Sequence, residues 1–349
     1  MSKVAAPHLR ISDDLLRNGV SIDDSFAEAF PMKATRIVIT AHNLTWARHA
    51  AVAATGFATS VIAGGCEAGI ERELDPGETP DGRPGLAVLF FSMSGKELAK
   101  QVERRVGQCV LTCPTTAVFA EIQVGEAIAL GKNLRFFGDG WQTSKLIDGA
   151  RYWRIPVMDG EFVAQETTAV VKGVGGGNLL LCRDTDAAPA VAEAAVLAMK
   201  ALPNVVMPFP GGVVRSGSKV GSKYAALRAS TDDAFCPILY GLVDQSELTP
   251  QTRCVMEIVI DGLSEADVGA AMRVGRRASR SVQSAACCAF QPATTVASWV
   301  HFIFICGSCW RWRPVHEWLA LHAQTAACAA GRPARHHADD AGRDVGGRR

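Results

Sequence analysis

The chain has 349 residues, 48% hydrophobic and 20% charged, so a sizeable core can form and wholesale disorder is excluded. A formal net charge of +1 removes any whole-chain electrostatic case for nucleic acid, and the length allows two ordinary domains or one large one. Residues 1–30 hold no continuous apolar run of secretory type. The longest apolar stretch, 296–306, is too short to span a membrane and is interrupted by His301. This predicts a soluble, cytoplasmic protein with neither membrane nor nucleic-acid partner.

In chain order, the short β-branched run 36–40 predicts a strand, and the Ala-rich run 46–54 a helix. His42 and His49, seven apart, would share a helix face, but no third ligand accompanies them, so no metal is expected. Residues 60–62 predict a second strand ended by Gly64 and Gly65, and 86–91 a buried strand. Ser94 and Glu97 then have capping-box spacing, ahead of a helix with Leu98, Val102 and Val106 on one face and Gly107 as its stop. The Gly- and Pro-rich stretch 138–160 would hold a junction between lobes. Residues 173–177, rich in glycine, imitate a dinucleotide turn without its full spacing and predict a plain turn before a strand at 178–182. A helix at 190–202 lies between Pro189 and Pro203, and a strand at 254–260 precedes a helix capped by Ser264 and running to Val274.

The units 88–107 and 255–275 repeat strand, turn and helix at equal spacing, and each ends in Arg-Val-Gly, which points to duplication and two α/β sandwich lobes. Composition breaks near Gly275. Residues 276–349 contain five of the eleven Cys, four of the seven Trp, and ten Arg against four acids, a net +6 that leaves the preceding residues at −5.

Residues 210–223 are the most informative for chemistry. Gly211 and Gly212 allow close backbone approach, and Arg215, Ser218, Lys219 and Lys223 supply donors to an anion, although the spacing is not that of a Walker loop. The bland alternative is a solvated loop. Residues 78–85, and the aromatic–carboxylate group of Phe136, Phe137 and Asp139, would line a site for a flat heterocycle or form ordinary turns. Glu257 lies mid-strand; in a dry cleft it would suit acid/base work, and on a solvated face it would do nothing. Cys109 and Cys113 read as core or wall residues rather than nucleophiles.

At these motifs the chain resembles the formylmethanofuran:tetrahydromethanopterin formyltransferases. The resemblance rests on 26–30, 54–57, 67–70, 78–85, 105–109, 136–140, 160–162, 208–223, 229–234 and 257–275. It implies an α+β fold of two ferredoxin-like lobes, 1–157 and 158–275, with antiparallel sheets and helices on one face. It further implies a homotetramer, no metal or permanently bound group, and tetrahydromethanopterin and methanofuran as coenzyme substrates. Glu257 matches the family's acid/base glutamate. Gly211, Gly212, Arg215, Ser218, Lys219, Lys223, Phe137 and Asp139 would bind substrate, with the basic residues facing anionic coenzyme tails.

Beyond 275 the resemblance stops. The tail, 276–349, has the composition of a shifted reading frame in GC-rich DNA, which would leave the second lobe without its last strand and the tail disordered. The rival reading is a zinc or redox module built on Cys306 and Cys309 with His301 and His316, although a second ligand pair at zinc-site spacing is missing. Two function classes follow: a catalytic formyltransferase, or a non-catalytic member of a complex that also contains formyl-hydrolysing subunits.

Overall fold

The computed structural model describes residues 21–22, 26–182, 185–227, 229–281, 287–292, 302–305 and 313–314. Residues 1–312 form one unit and 313–349 another, of which only the short strand Arg313–Pro314 is described. His301, Cys306, Cys309 and His316 all lie outside the described residues, and so does most of the tail.

The first half builds β1 (Phe26–Thr40), α1 (Leu44–Thr55), β2 (Glu67–Leu74), β3 (Gly85–Ser92), α2 (Gly95–Arg105) and β4 (Ala117–Ala120). β1 pairs antiparallel with β3 on one side and β4 on the other, and β2 pairs with the outer side of β3. The second half repeats the sequence of elements: β5 (Thr167–Cys182), α3 (Ala188–Lys200), β6 (Val205–Val206), β7 (Cys254–Gly262), α4 (Glu265–Ser281) and β8 (Cys287–Pro292). There β5 pairs antiparallel with β7 and β8, and β6 with β7. Both halves therefore carry their strands in the order fourth, first, third, second. The repeated strand–turn–helix units of the sequence are β3–α2 and β7–α4, which occupy equivalent places.

Alanine explains the close seating of the first helix. Ala47, Ala50, Ala51 and Ala54 form the buried face of α1 and pack with Ile37, Ile39, Val88, Phe90, Leu98 and Val102. In the second half Val191, Ala192, Ala195, Val196 and Met199 of α3 meet Ile258 and Ile260 of β7 and Val268 and Ala271 of α4. The composition break near Gly275 falls inside α4, where a Cβ on Gly275 would lie 1.8 Å from Cε of Met199. A strand, β8, occupies the place beside β5 that the sequence reading leaves bare, and Phe302–Ile305 lies antiparallel to the start of β1.

Five local expectations need correction. Residues 60–62 are not a strand: the Ser60 side chain accepts the Ile62 N–H and caps a one-turn helix, Val61–Gly64, ended by Gly65 at φ +72°. Gly107 does not stop its helix, which continues as a π-turn through Val106–Val110. His42 precedes α1 and shares no helix face with His49; its N–H donates to Thr115 Oγ1. The glycines of 173–177 are not a turn but the middle of β5. A Cβ on Gly173 would fall 2.9 Å from the Phe91 ring and one on Gly175 3.0 Å from Met32 Sδ, so glycine here answers crowding where β5 crosses β1. The stretch 138–160 does not hold the junction between lobes. Its strands, Thr143–Ile147 and Ala150–Val157, extend the sheet on the far side of β4 through Gly160–Gln165.

The lobes meet instead along β1 and β5 and at the two outer strands, β2 and β6. Gly69 of β2 lies so close to β6 that a Cβ there would be 2.7 Å from Cβ of Val206. Beside it Arg36 donates to both oxygens of Glu71, at 2.6 and 2.8 Å, and to Asn204 Oδ1 at 2.6 Å. The Asn204 N–H closes the network by donating to Glu71 at 2.6 Å.

Candidate active site

The chain runs along the outer edge of β7 twice. Val205 and Val206 pair with Gly262 and Asp261, and Val214 then pairs with Glu257 through two backbone hydrogen bonds of 2.7 and 2.9 Å. Eight residues separate Val206 from Val214, while only four separate their partners on β7. The excess is thrown out as the turn Pro210–Gly212, which needs left-handed backbone at Gly211 (φ +66°) and Gly212 (φ +82°). Gly212 is buried against Val196, and a Cβ on it would approach Val196 Cγ1 to 2.7 Å. Gly211 is exposed, would meet nothing within 4 Å, and lines a cleft of about 390 Å³ between the lobes, together with Phe57, Gly69 and Val206.

Past Val214 the same segment passes over the Glu257 side chain: a Cβ on Gly217 would be 3.7 Å from its Oε2. The segment then forms a hairpin, Ser218–Val220 against Ala229–Thr231. Ile258 and Ile260 point into the core below, so alternation along β7 puts Glu257 on the opposite face, beneath this loop. Burial first, and the Asp232 charge second, push the Glu257 carboxyl up to about 7. A carboxyl in that range takes up and releases a proton near neutral pH.

The structure brings some of the sequence candidates together and separates others. Glu257, Gly211, Gly212, Arg215, Ser218 and Lys219 lie on β7 or on the segment laid along it. Arg215 and Lys223 are exposed. Lys219 already forms an ion pair with Asp233. Phe137 and Asp139 are elsewhere: Phe137 lines a cleft of about 660 Å³ with Leu111, Pro114, Pro156 and Met158, and Asp139 follows at φ +49° as the turn's exit. No residue lining that cleft belongs to the Glu257 group. Residues 78–85 form a turn tied down by ion pairs of Glu78 with Arg72 and of Asp81 with Arg83. Burial pushes the Cys109 and Cys113 thiols up, which makes them poor nucleophiles.

Two carboxyls escaped the sequence reading. Asp261 of β7 is fully buried and none of its oxygens meets a hydrogen-bond donor among the described residues. The group against it is the buried Glu67 carboxyl of β2, across the lobe boundary, and two carboxyls bond to each other only by sharing a proton. Burial raises both, and the Glu67 charge lifts Asp261 further, well above the usual carboxylate range. Period-two spacing places Asp261 on the same face of β7 as Glu257, a signal present in the sequence.

Two family models match the chain: formylmethanofuran-tetrahydromethanopterin formyltransferase over residues 15–157, and its proximal lobe over 160–289. The chain belongs to this family. Its relatives include a formylmethanofuran–tetrahydromethanopterin formyltransferase of Methylococcus capsulatus, 67% identical over 266 residues, which are 76% of this chain and 89% of that one. One component of the formyltransferase/hydrolase complex of Methylorubrum extorquens is 49% identical over 276 residues, 77% of this chain and 88% of that component. Among solved structures, the formyltransferase/hydrolase complex of Methylorubrum extorquens with methylofuran aligns with a TM-score of 0.78 at 43% identity, covering 87% of this chain and 98% of the matched one. The formyltransferase of Methanosarcina barkeri aligns with a TM-score of 0.75 at 39% identity, covering 86% and 99%. The family match over 160–289 extends past the composition break and ends within β8.

Proposed function

We propose that the chain is a formyltransferase that moves a formyl group between N5 of tetrahydromethanopterin and the primary amine of methanofuran, serving one-carbon metabolism and formaldehyde oxidation. Each half is a ferredoxin-like lobe, the second closed by β8, and the assembly is a cytoplasmic homotetramer. The observation that carries the reading is the Glu257 carboxyl, poised at about 7 beneath the glycine-rich segment, in a chain 67% identical to a relative named for this reaction.

An alkyl amine has a pKa of roughly 10 and is mostly protonated at neutral pH, so it needs a base before it can attack. Glu257 takes that proton. The free amine attacks the formyl carbon, the new carbon–nitrogen bond forms, and the carbonyl oxygen becomes an oxyanion. Backbone N–H groups of the 210–218 segment and the Lys219 ammonium are the fixed donors for it. The attacking nitrogen sheds its second proton to solvent, the bond to N5 breaks, and Glu257 returns its proton to the leaving nitrogen. The transfer is direct, in a ternary complex, and the reverse direction uses the same groups in opposite order. Exposed Arg215 and Lys223 hold the anionic coenzyme tails; Gly211 offers open backbone to the inter-lobe cleft, and Phe137 and Asp139 serve the more distant part of a long coenzyme.

The 49% identity to a component of a formyltransferase/hydrolase complex favours formyl-hydrolysing subunits as partners. The test is transfer itself. Purified protein is given N5-formyl-tetrahydromethanopterin and methanofuran, and formylmethanofuran is followed by mass spectrometry. Turnover is expected; its absence in protein that melts cooperatively would favour a non-catalytic role within such a complex.

A further inference from the structure

The hairpin beyond the glycine-rich segment carries two adjacent acids in different situations. Asp233 is ion-paired with Lys219, and that hydrogen bond holds its carboxyl below the usual range. Asp232 forms no such ion pair among the described residues; burial raises its carboxyl, and the Ala234 N–H that it accepts opposes the rise. Its backbone is clamped: the Asp232 N–H donates to the Gly217 carbonyl at 2.9 Å, and the Asp232 carbonyl accepts the Cys236 S–H at 3.1 Å. Gly217 is also the residue that passes over Glu257 Oε2. One glycine thus has the Glu257 carboxyl against it and carries the anchor of Asp232.

We propose that Asp232 is a positioning residue for formyl transfer: held through Gly217 beside Glu257, its negative charge governs the protonation state in which Glu257 meets the reacting nitrogens. The inference rests on the acid/base reading of Glu257. A neighbouring like charge disfavours ionisation, so Asp232 keeps the proton on Glu257 to higher pH than burial alone would. Among the described residues, the other charged groups that act on Asp232 are Lys219, Asp233 and Glu247. Lys219 favours the charged form of Asp232, while Asp233 and Glu247 oppose it. The Lys219–Asp233 pair therefore offsets part of the hairpin's own repulsion and leaves Asp232 as the charge that acts on Glu257.

The experiment is the pH profile of kcat/KM for Asp232→Asn, Asp232→Ser, Asp232→Glu and Glu257→Gln, with thermal melts to confirm folding. Either neutral variant is expected to move the acidic limb by about 0.5–1 pH unit to lower pH, because Glu257 then ionises more readily. Asp232→Glu should bring the limb most of the way back, an effect that a purely structural role would not produce. Serine retains an acceptor for the Ala234 N–H, so it serves if asparagine disturbs the turn. If Glu257→Gln loses turnover while neither neutral variant shifts the limb, the role of Asp232 is overturned and that of Glu257 stands. If Glu257→Gln keeps full turnover, the acid/base reading and this inference fall together.

Discussion

Replacing Arg36 by methionine keeps an unbranched apolar stem and removes the guanidinium and its charge. Arg36 and Glu71 are 12% and 2% exposed, and the guanidinium meets both Glu71 oxygens. Without it, a dry carboxylate is left with the Asn204 N–H as its remaining donor among the described residues. Breaking a buried pair in this way costs about 3–5 kcal/mol. Glu71→Leu should cost less, about 2 kcal/mol, because Arg36 keeps Asn204 and the more exposed Glu121 at 3.3 Å. The double variant leaves no uncompensated Glu71 charge and should lie within about 1–2 kcal/mol of the unsubstituted protein. Urea unfolding of all four forms gives the coupling energy, expected at about 3 kcal/mol or more. Additivity within about 0.5 kcal/mol would show that Arg36 and Glu71 are not coupled as argued.

The Glu67–Asp261 pair makes stability depend on pH. Both carboxyls are raised in the folded protein, so the folded state binds more protons than the unfolded chain above about pH 4. Stability is then greatest below the unfolded carboxyl values and falls as pH rises through the folded ones. Asp261→Asn should flatten this fall in urea midpoints measured from pH 5 to 8, and an unchanged slope would refute the pairing. Arg215→Ala and Lys223→Ala should raise KM for the coenzymes more than they lower kcat, with the effect shrinking from about 50 mM to about 300 mM salt as screening grows. A defect confined to kcat and insensitive to salt would place these residues in the chemistry.

Strands with a single buried character were readable from the chain. Residues 86–91 are uniformly apolar because β3 is buried on both faces, and the spacing of Leu98, Val102 and Val106 fits the one buried face that α2 and the following π-turn share. The repeat was legible because each copy carries its own turn and cap. Residues 60–62 misled because β-branched side chains favour strands, while the cap at Ser60 and the left-handed Gly65 decide the local backbone. The glycines of 173–177 misled because their cause, Phe91 and Met32 pressing on β5, is distant in sequence. The strand pattern leaves Glu257 open and the family resemblance singles it out, whereas nothing local marks Asp232, which meets the segment over Glu257 through its hydrogen bond to Gly217. Phe137 and Asp139 carried the right residue types for a site, yet no local pattern reveals that Phe137 lines a separate cleft.

The most direct measurement is the steady-state kinetics of Glu257→Gln with both coenzymes. Glutamine keeps the size and polarity of the side chain and cannot exchange a proton. Near-normal KM values and a kcat lowered by ~10²–10⁴-fold are expected, the usual loss for a general acid/base. A variant with unaltered kcat would contradict the acid/base role of Glu257.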